Sequence, residues 1–204
     1  MIKIDSLVLG PYATNCYLLW KDDHVLIVDP GSKSNKIHQL IVLFNGVVDG
    51  IYLTHGHFDH IAGVDAMVDH YHCPVYMNEL DMPLLTNPYL NVSAGSGLGD
   101  VVVKSKVNAL APGINNIGAF SFELVDAPGH SEGSSLMLWE NNMICGDVIF
   151  KGSIGRTDLV GGSNIKMVQS LQMIRKLNPD YLVYPGHGEK TTLWEELKTN
   201  PYLM

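Results

Sequence analysis

The 204-residue sequence has only three cysteines, Cys16, Cys73 and Cys145, and no Cys-x-x-Cys pair. An odd count without that spacing excludes a disulfide scaffold and a zinc ribbon, and points to a reducing, cytoplasmic setting. Basic residues are also few. Thirteen Lys and Arg stand against 21 Asp and Glu, a net charge of −8. A nucleic-acid binder held by a basic face is therefore not expected. No apolar run approaches the roughly 18 residues of a membrane span, so no membrane partner is expected. Met1 to Gly10 lacks the charged head and long apolar block of a secretory signal. Low-complexity linkers and composition breaks are missing too, so residues 1–204 are read as one domain. Nothing in the sequence sets an oligomeric state. What the chain does have is 46% hydrophobic residues, enough for a sizeable core, and nine histidines, several of them crowded together.

Apolar alternation at Ile2, Ile4, Leu7 and Leu9, then at Tyr17 to Trp20 and Val25 to Val28, predicts short strands. Gly10-Pro11 and Asp22-Asp23 mark the turns between them. Ser34 caps a helix on which Ile37, Leu40, Ile41 and Phe44 recur at helical spacing. A buried strand at Ile51 to Leu53 precedes a second helix with Ile61, Val64, Met67, Val68 and Tyr71 on one face, and Pro74 to Met77 reads as a further strand. Thr86 to Gly99 is the least regular stretch, of a length at which loops serve either as lids or as tolerated insertions. Strands follow at Phe120 to Val125, Ser135 to Trp139, Met143 to Ile144 and Tyr181 to Tyr184, with a helix at Ile165 to Leu177. Thr192 with Glu195 forms a capping box for a last helix over Leu193 to Lys198. The expected fold class is α/β, two sheets packed together with helices outside.

The chemistry-bearing residues gather at predicted strand ends. His55, His57, Asp59 and His60 lie within six residues directly after the Ile51 to Leu53 strand. Alternate residues of an extended segment point the same way, so His55 and His57 can share one metal ion. Asp59 and His60, at the turn into the helix, can face a second. His130, Asp147 and His187 each follow a short apolar strand and sit beside a glycine. Any one of them alone could be structural. Their shared placement in a chain that also carries His-x-His-x-Asp-His argues for joint ligation, because sites collect at such strand ends. His24, His38, His70 and His72 show no partner pattern and are read as solvent-facing or capping. Cys16 and Cys145 are read as core residues. Asp29 is read as a turn residue, with contact to a metal ligand as the alternative.

These motifs resemble the metallo-β-lactamase superfamily over nearly the whole chain, from Ile27-Val28-Asp29-Pro30-Gly31 to Pro185-Gly186-His187-Gly188. Gly146-Asp147, Gly155-Arg156-Thr157-Asp158 and Gly186-His187-Gly188 are most similar to the glyoxalase II-like branch, the small hydroxyacylglutathione hydrolases. The resemblance implies an αββα four-layer sandwich of two mixed sheets flanked by helices. It implies that His55, His57 and His130 hold one ion, that Asp59, His60 and His187 hold another, and that Asp147 bridges them. Two divalent ions are implied, zinc first, with iron or manganese also suited to a mixed N/O donor set. Two carboxylates and five neutral imidazoles leave about two positive charges uncompensated, which suits an anionic product.

Two such ions lower the pKa of water towards neutrality, and Asp59 is the residue placed to orient it. A thiolate leaves with a conjugate-acid pKa near 8.5 and needs little protonation. The chemistry therefore favours thioesters or other activated esters, and the resemblance implies hydrolysis of a small-molecule thioester such as S-lactoylglutathione. Lys151 and Arg156 could meet a substrate carboxylate, although Arg156 is better read as a partner of Asp158. Only seventeen residues follow His187, so the glutathione contacts of the C-terminal helical domain of full-length glyoxalase II cannot be carried over. The rival readings are a mono-iron persulfide dioxygenase built on His55, His130 and Asp147, a non-catalytic metal-binding protein and, more remotely, a β-lactam hydrolase.

Overall fold

The computed structural model of the chain describes residues 1–178 and 180–204. The first sheet is made of β1 (Lys3–Leu9), β2 (Thr14–Lys21), β3 (His24–Val28), β4 (Val47–Leu53), β5 (Val75–Asn78) and β6 (Val107–Leu110), in that spatial order. Its first two pairings are antiparallel and its last three parallel. The second sheet contains β7 (Gly113–Ile117), β8 (Phe120–Asp126), β9 (Ser135–Trp139) and β10 (Asn142–Gly146). A small hairpin, β11 (Ile149–Phe150) with β12 (Ser153–Ile154), stands apart. The second sheet is completed by β13 (Leu182–Pro185) and β14 (Thr191–Thr192), giving the order β14-β13-β10-β9-β8-β7. Among the described residues, only β10 and β13 pair in parallel there. Both sheets are therefore mixed.

Strand alternation sends successive side chains to opposite faces, and here it divides the core into three apolar layers. Tyr17, Leu19, Leu26, Val28 and Tyr52 face the opposing sheet and meet Phe120, Phe122, Leu124, Met137 and Ile144. The residues between them, Leu18, Ile27, Ile51 and Leu53, face outward. They are covered by α1 (Asn35–Leu43), α2 (Phe58–Ile61) and α3 (Val64–Tyr71), through Ile37, Ile41, Ile61, Val64 and Met67. On the far side α4 (Asn164–Ile174) and α5 (Leu193–Thr199) bury Met167, Leu171, Ile174 and Leu193 against Leu136, Leu138, Met143 and Val183. The result is the expected helix–sheet–sheet–helix sandwich. Ser34 and Thr192 cap α1 and α5 as their sequence positions predict. Cys16 and Cys145 are buried core residues with free thiols.

The departures have local causes. The predicted second helix is two helices, broken at Ala62-Gly63, where the Gly63 N–H leaves the helical ladder and donates to Pro30 O. Phe44 falls just past the end of α1 and is exposed instead of lying in the core. Glu79–Thr86 forms a 3₁₀ helix that carries Asp81 into the interior. Among the described residues, no helix is long and apolar enough to cross a membrane.

Candidate metal centre

Four strand ends and one helix start converge at one rim of the sandwich. His55 and His57 follow β4, His130 follows β8, Asp147 follows β10 and His187 follows β13, while Asp59 and His60 lie on α2. All seven residues come together. His57 Nδ1 lies 2.8 Å from His130 Nε2. Asp147 Oδ1 is 3.4 Å from His60 Nε2, and its Oδ2 is 3.4 Å from His130 Nε2 and 3.5 Å from His187 Nε2. Asp59 Oδ2 is 3.1 Å from His187 Nε2 and 3.6 Å from His60 Nε2. His55, His57 and His130 each offer a donor atom within 4.8 Å of the others, and so do Asp59, His60 and His187. Asp147 stands between these two triads.

The atoms left without partners test whether a cation fits. Among the described residues, six buried side-chain polar atoms have no hydrogen-bond partner. Four of them belong to this cluster: Nε2 of His55, His57 and His60, and Oδ1 of Asp147. An unpaired buried acceptor costs about 1–3 kcal/mol. Such a concentration of unpaired donors to a cation, at a rim lined with imidazole and carboxylate, fits divalent metal binding.

The outward-facing nitrogens fix the tautomers. His60 Nδ1 donates to Asp29 Oδ2 over 2.9 Å, so in the neutral ring, the form a cation needs, the lone pair is on Nε2 and faces the site. The Thr54 hydroxyl donates to the same oxygen over 2.6 Å. Its proton is thereby committed, so Thr54 Oγ1 accepts from His55 Nδ1 at 3.1 Å, and Nε2 of His55 is bare as well. His130 Nδ1 donates to the Arg156 carbonyl over 2.8 Å, with the same consequence. Asp29 is thus more than a turn residue, and of the two readings the sequence allows, contact with a candidate ligand, His60, is the one observed. Its carboxylate can group with His55 and His60 as a donor set. Both its oxygens, however, already accept hydrogen bonds, from Thr54 N–H, Thr54 Oγ1 and His60 Nδ1, so it acts as an orienting acceptor.

Asp81 escaped the sequence reading. It is fully buried and accepts from Gly56 N (2.9 Å), Ser131 Oγ (2.6 Å) and Gly133 N (2.5 Å). It therefore ties the loop carrying His55 and His57 to the loop carrying His130. Burial pushes its carboxyl up, against the pull of these donors. The only sequence signal was an acidic residue embedded in the apolar run Leu80 to Leu85.

Tight backbone approach also shapes the rim. Gly146 has φ +48°, a left-handed conformation suited to glycine, and packs on Thr54. A Cβ on Gly186 would overlap Asp147 Oδ1 and press on His60. The strain would be steric alone. Gly186→Ala is expected to cost about 1–3 kcal/mol, read as a lower Tm, and to weaken metal retention on dialysis. An unchanged Tm and full metal content would show that the cradle yields.

Lys151 does not line the cavity at this rim. Its Nζ donates to Glu189 on the surface. Arg156 does line it, but its guanidinium makes two 2.7 Å hydrogen bonds to Asp158. The remaining histidines lie elsewhere: His24 pairs with Asp49, His38 pairs with Tyr71 and packs at a tilt against His70, and His72 ends α3.

Protonation without metal divides the site in two. Burial, reinforced by His130, pushes His57 down to about 3, and burial with His60 pushes His55 well below its ordinary value. Burial also opposes charge on His187, but the carboxylates of Asp147 and Asp59 outweigh it and raise His187 to about 9. His60 is raised in the same way by Asp59, Asp147 and Asp29. Asp59 is held at about 2, burial being outweighed by His60 and His187. The sign of each contribution follows from linkage. His57 binds its proton more weakly folded than unfolded, so its contribution is lost as pH falls from about 6.5 towards 3. His187 binds more tightly folded, so its contribution is present below about 6.5 and lost as pH rises through 9. The Tm of chelated protein is therefore expected to peak near neutrality and fall on both sides, while metal-loaded protein holds its Tm on the alkaline side. Parallel alkaline profiles for the two forms would contradict this.

Comparison with known proteins places the chain among relatives of matching length. The sequence pattern of the Metallo-beta-lactamase superfamily matches residues 9–187. "Probable metallo-hydrolase YqgX" of Bacillus subtilis is 38% identical over 99% of this chain and 98% of its own length. "Hydroxyacylglutathione hydrolase GloC" of Haemophilus influenzae is 28% identical over 99% of this chain and 98% of its own. Among solved structures, the BLEG-1 B3 metallo-β-lactamase superposes with TM-score 0.94 at 34% identity, covering 99% of this chain and 100% of that one. TTHA1623, crystallised in a di-iron-bound form, gives 0.89 at 34% identity over 98% and 100%.

Proposed function

The chain belongs to the metallo-β-lactamase superfamily, and on that premise we propose that it is a binuclear metal-dependent hydrolase of small thioesters of the S-lactoylglutathione type. The observation that carries the reading is the ring of unpartnered buried donors, His55, His57 and His60 Nε2 with Asp147 Oδ1, in front of a cavity of about 280 Å³. His55, His57 and His130 would hold one ion, Asp59, His60 and His187 the other, and Asp147 would touch both. Zinc is the proposed metal, with iron as the alternative that the di-iron relative supports. Bound there, divalent ions supply a Lewis acid and a water of lowered pKa.

The chain's own groups then decide what can react. Asp59 lines the cavity, and its Oδ2 accepts from the Thr14 hydroxyl over 3.0 Å, which holds the carboxylate in place to orient the attacking water. Two bound divalent ions would exceed the charge of Asp59 and Asp147 and favour an anionic substrate and product. Among the described residues that line the cavity, Arg156 keeps its proton at any working pH. Its guanidinium therefore cannot supply a departing amine with one, which leaves the Tyr12 hydroxyl as the lining O–H that could. A thiolate, with conjugate-acid pKa near 8.5, leaves without that help, so a thioester is favoured over an amide. The Haemophilus relative supports the same substrate class. The likeness to a B3 metallo-β-lactamase favours a second reading, hydrolysis of a β-lactam, whose strained amide lowers the demand for a proton.

The test is one preparation, purified without added metal, assayed in three ways. S-lactoylglutathione is expected to turn over at least 100-fold faster in kcat/KM than nitrocefin, with no oxygen uptake on glutathione persulfide. Dominant nitrocefin turnover would establish the second reading. Oxygen uptake with one iron per chain would establish a dioxygenase, and metal binding with no turnover at all would leave a non-catalytic protein.

A further inference from the structure

The stretch over residues 86–99 is two different things. Its second half carries Gly95, Gly97 and Gly99, each at positive φ with nothing within 4 Å of a Cβ. Its first half is anchored. Asn91 is fully buried, its Nδ2 donates to Leu84 O and Val101 O, and its Oδ1 accepts from Ser93 N. Ser93 is buried too, and its Oγ accepts from Val101 N. Between these two anchors Val92 has φ +60°. A left-handed backbone is a genuine outlier for a β-branched side chain, and among the described residues no other β-branched residue adopts it. Val92 lines the cavity at the metal centre together with Leu159, Tyr12 and Phe58. The Phe58 N–H, between His57 and Asp59 in the chain, donates to Asn91 O over 3.0 Å. The loop is thus locked to the helix start that carries the ligands.

Strain of this kind persists where surrounding structure over-determines it, and it concentrates at ligand-contacting positions. We propose that Val92 is a specificity-determining residue: its isopropyl group is held in the cavity against backbone preference, and it narrows the space beside the metal ligands to short acyl groups. This rests on the thioester reading above. The cavity, at about 280 Å³, lies just under the roughly 300–1,000 Å³ of sites for drug-sized ligands, so removal of three carbon atoms changes its capacity materially.

The experiment compares Val92→Gly and Val92→Ala with the wild-type holoenzyme. Two readouts are used: Tm, and the ratio of kcat/KM for S-mandeloylglutathione to that for S-lactoylglutathione. Both substitutions widen the cavity, and the ratio is expected to rise at least 10-fold in each, the size of effect a few carbon atoms exert on pocket discrimination. Only glycine relieves the left-handed backbone, so Val92→Gly is expected to melt about 2–4 °C above Val92→Ala. At an ordinary backbone position the order would be the reverse. A ratio unchanged in both variants while the thioesters are hydrolysed overturns the role of Val92 and leaves the thioester reading standing. A wild-type enzyme that neither hydrolyses these thioesters nor binds S-methylglutathione overturns both.

Discussion

Asp147→Asn is expected to lower thioester turnover by about three orders of magnitude and to reduce metal content from two equivalents to one or fewer, with the fold intact. The substitution keeps the volume of the side chain and changes one oxygen into an NH₂ donor. In the native chain Oδ1 faces His60, and Oδ2 faces both His130 and His187 at 3.4–3.5 Å. No other carboxylate among the described residues stands between the two triads, His55, His57 and His130 on one side and Asp59, His60 and His187 on the other. A cation on either side would meet an amide of half the acceptor capacity and no charge. The loss should exceed the 10–100-fold typical of residues that only orient a ligand. Circular dichroism and the Tm of chelated protein separate this effect from misfolding. Two equivalents of metal and turnover within 10-fold of wild type would show that Asp147 is not shared.

Asp29→Asn is the second large effect, and it acts at a distance from substrate. Asp29 Oδ1 accepts from the Thr54 backbone N–H, which compels the amide oxygen of asparagine to take that place. The new NH₂ then occupies the position of Oδ2, facing Thr54 Oγ1 and His60 Nδ1. His60 Nδ1 must now accept, so the ring proton moves to Nε2 and the lone pair that faced the site is lost. The Thr54 hydroxyl, no longer committed to Asp29, is free to donate to His55 Nδ1, and the same inversion follows there. One atom changed thus puts two histidines in the wrong tautomer. A comparable tautomer error in a catalytic triad costs about 10⁴-fold, and a fall of 10²–10⁴ in turnover is expected here. Asp29→Glu and Thr54→Ser variants serve as controls. Nitrogen-resolved NMR of the imidazoles reads the tautomers directly. Native tautomers in Asp29→Asn would contradict the mechanism even if activity fell.

These two residues mark how far the sequence could be read. Every residue of the converging cluster was legible, because ligand-type side chains next to glycines at strand ends form a pattern along the chain. The core layers were legible for the same reason: alternation at Tyr17 to Trp20 and Val25 to Val28 is a local property. The roles of Asp29 and Asp81 were not. Each depends on a partner brought in by tertiary packing, Thr54 and His60 for the first and the loop from Ser131 to Gly133 for the second. The edge strand Gly113–Ile117 was missed because its residues are half polar, with Ile114 exposed, and only pairing with β8 makes it a strand. Lys151 looked available for substrate until Glu189, 38 residues away, came into contact with it. Val92 carries no signal at all in sequence, since an outlying φ is a property of the folded loop alone.

Whether two cations share the seven side chains is read from a crystal structure with anomalous difference maps at the zinc and iron edges. Two peaks are predicted, one within ligand distance of His55, His57 and His130, the other of Asp59, His60 and His187, with Asp147 reaching both. A single peak held by His55, His130 and Asp147, or no peak among these residues, would contradict it.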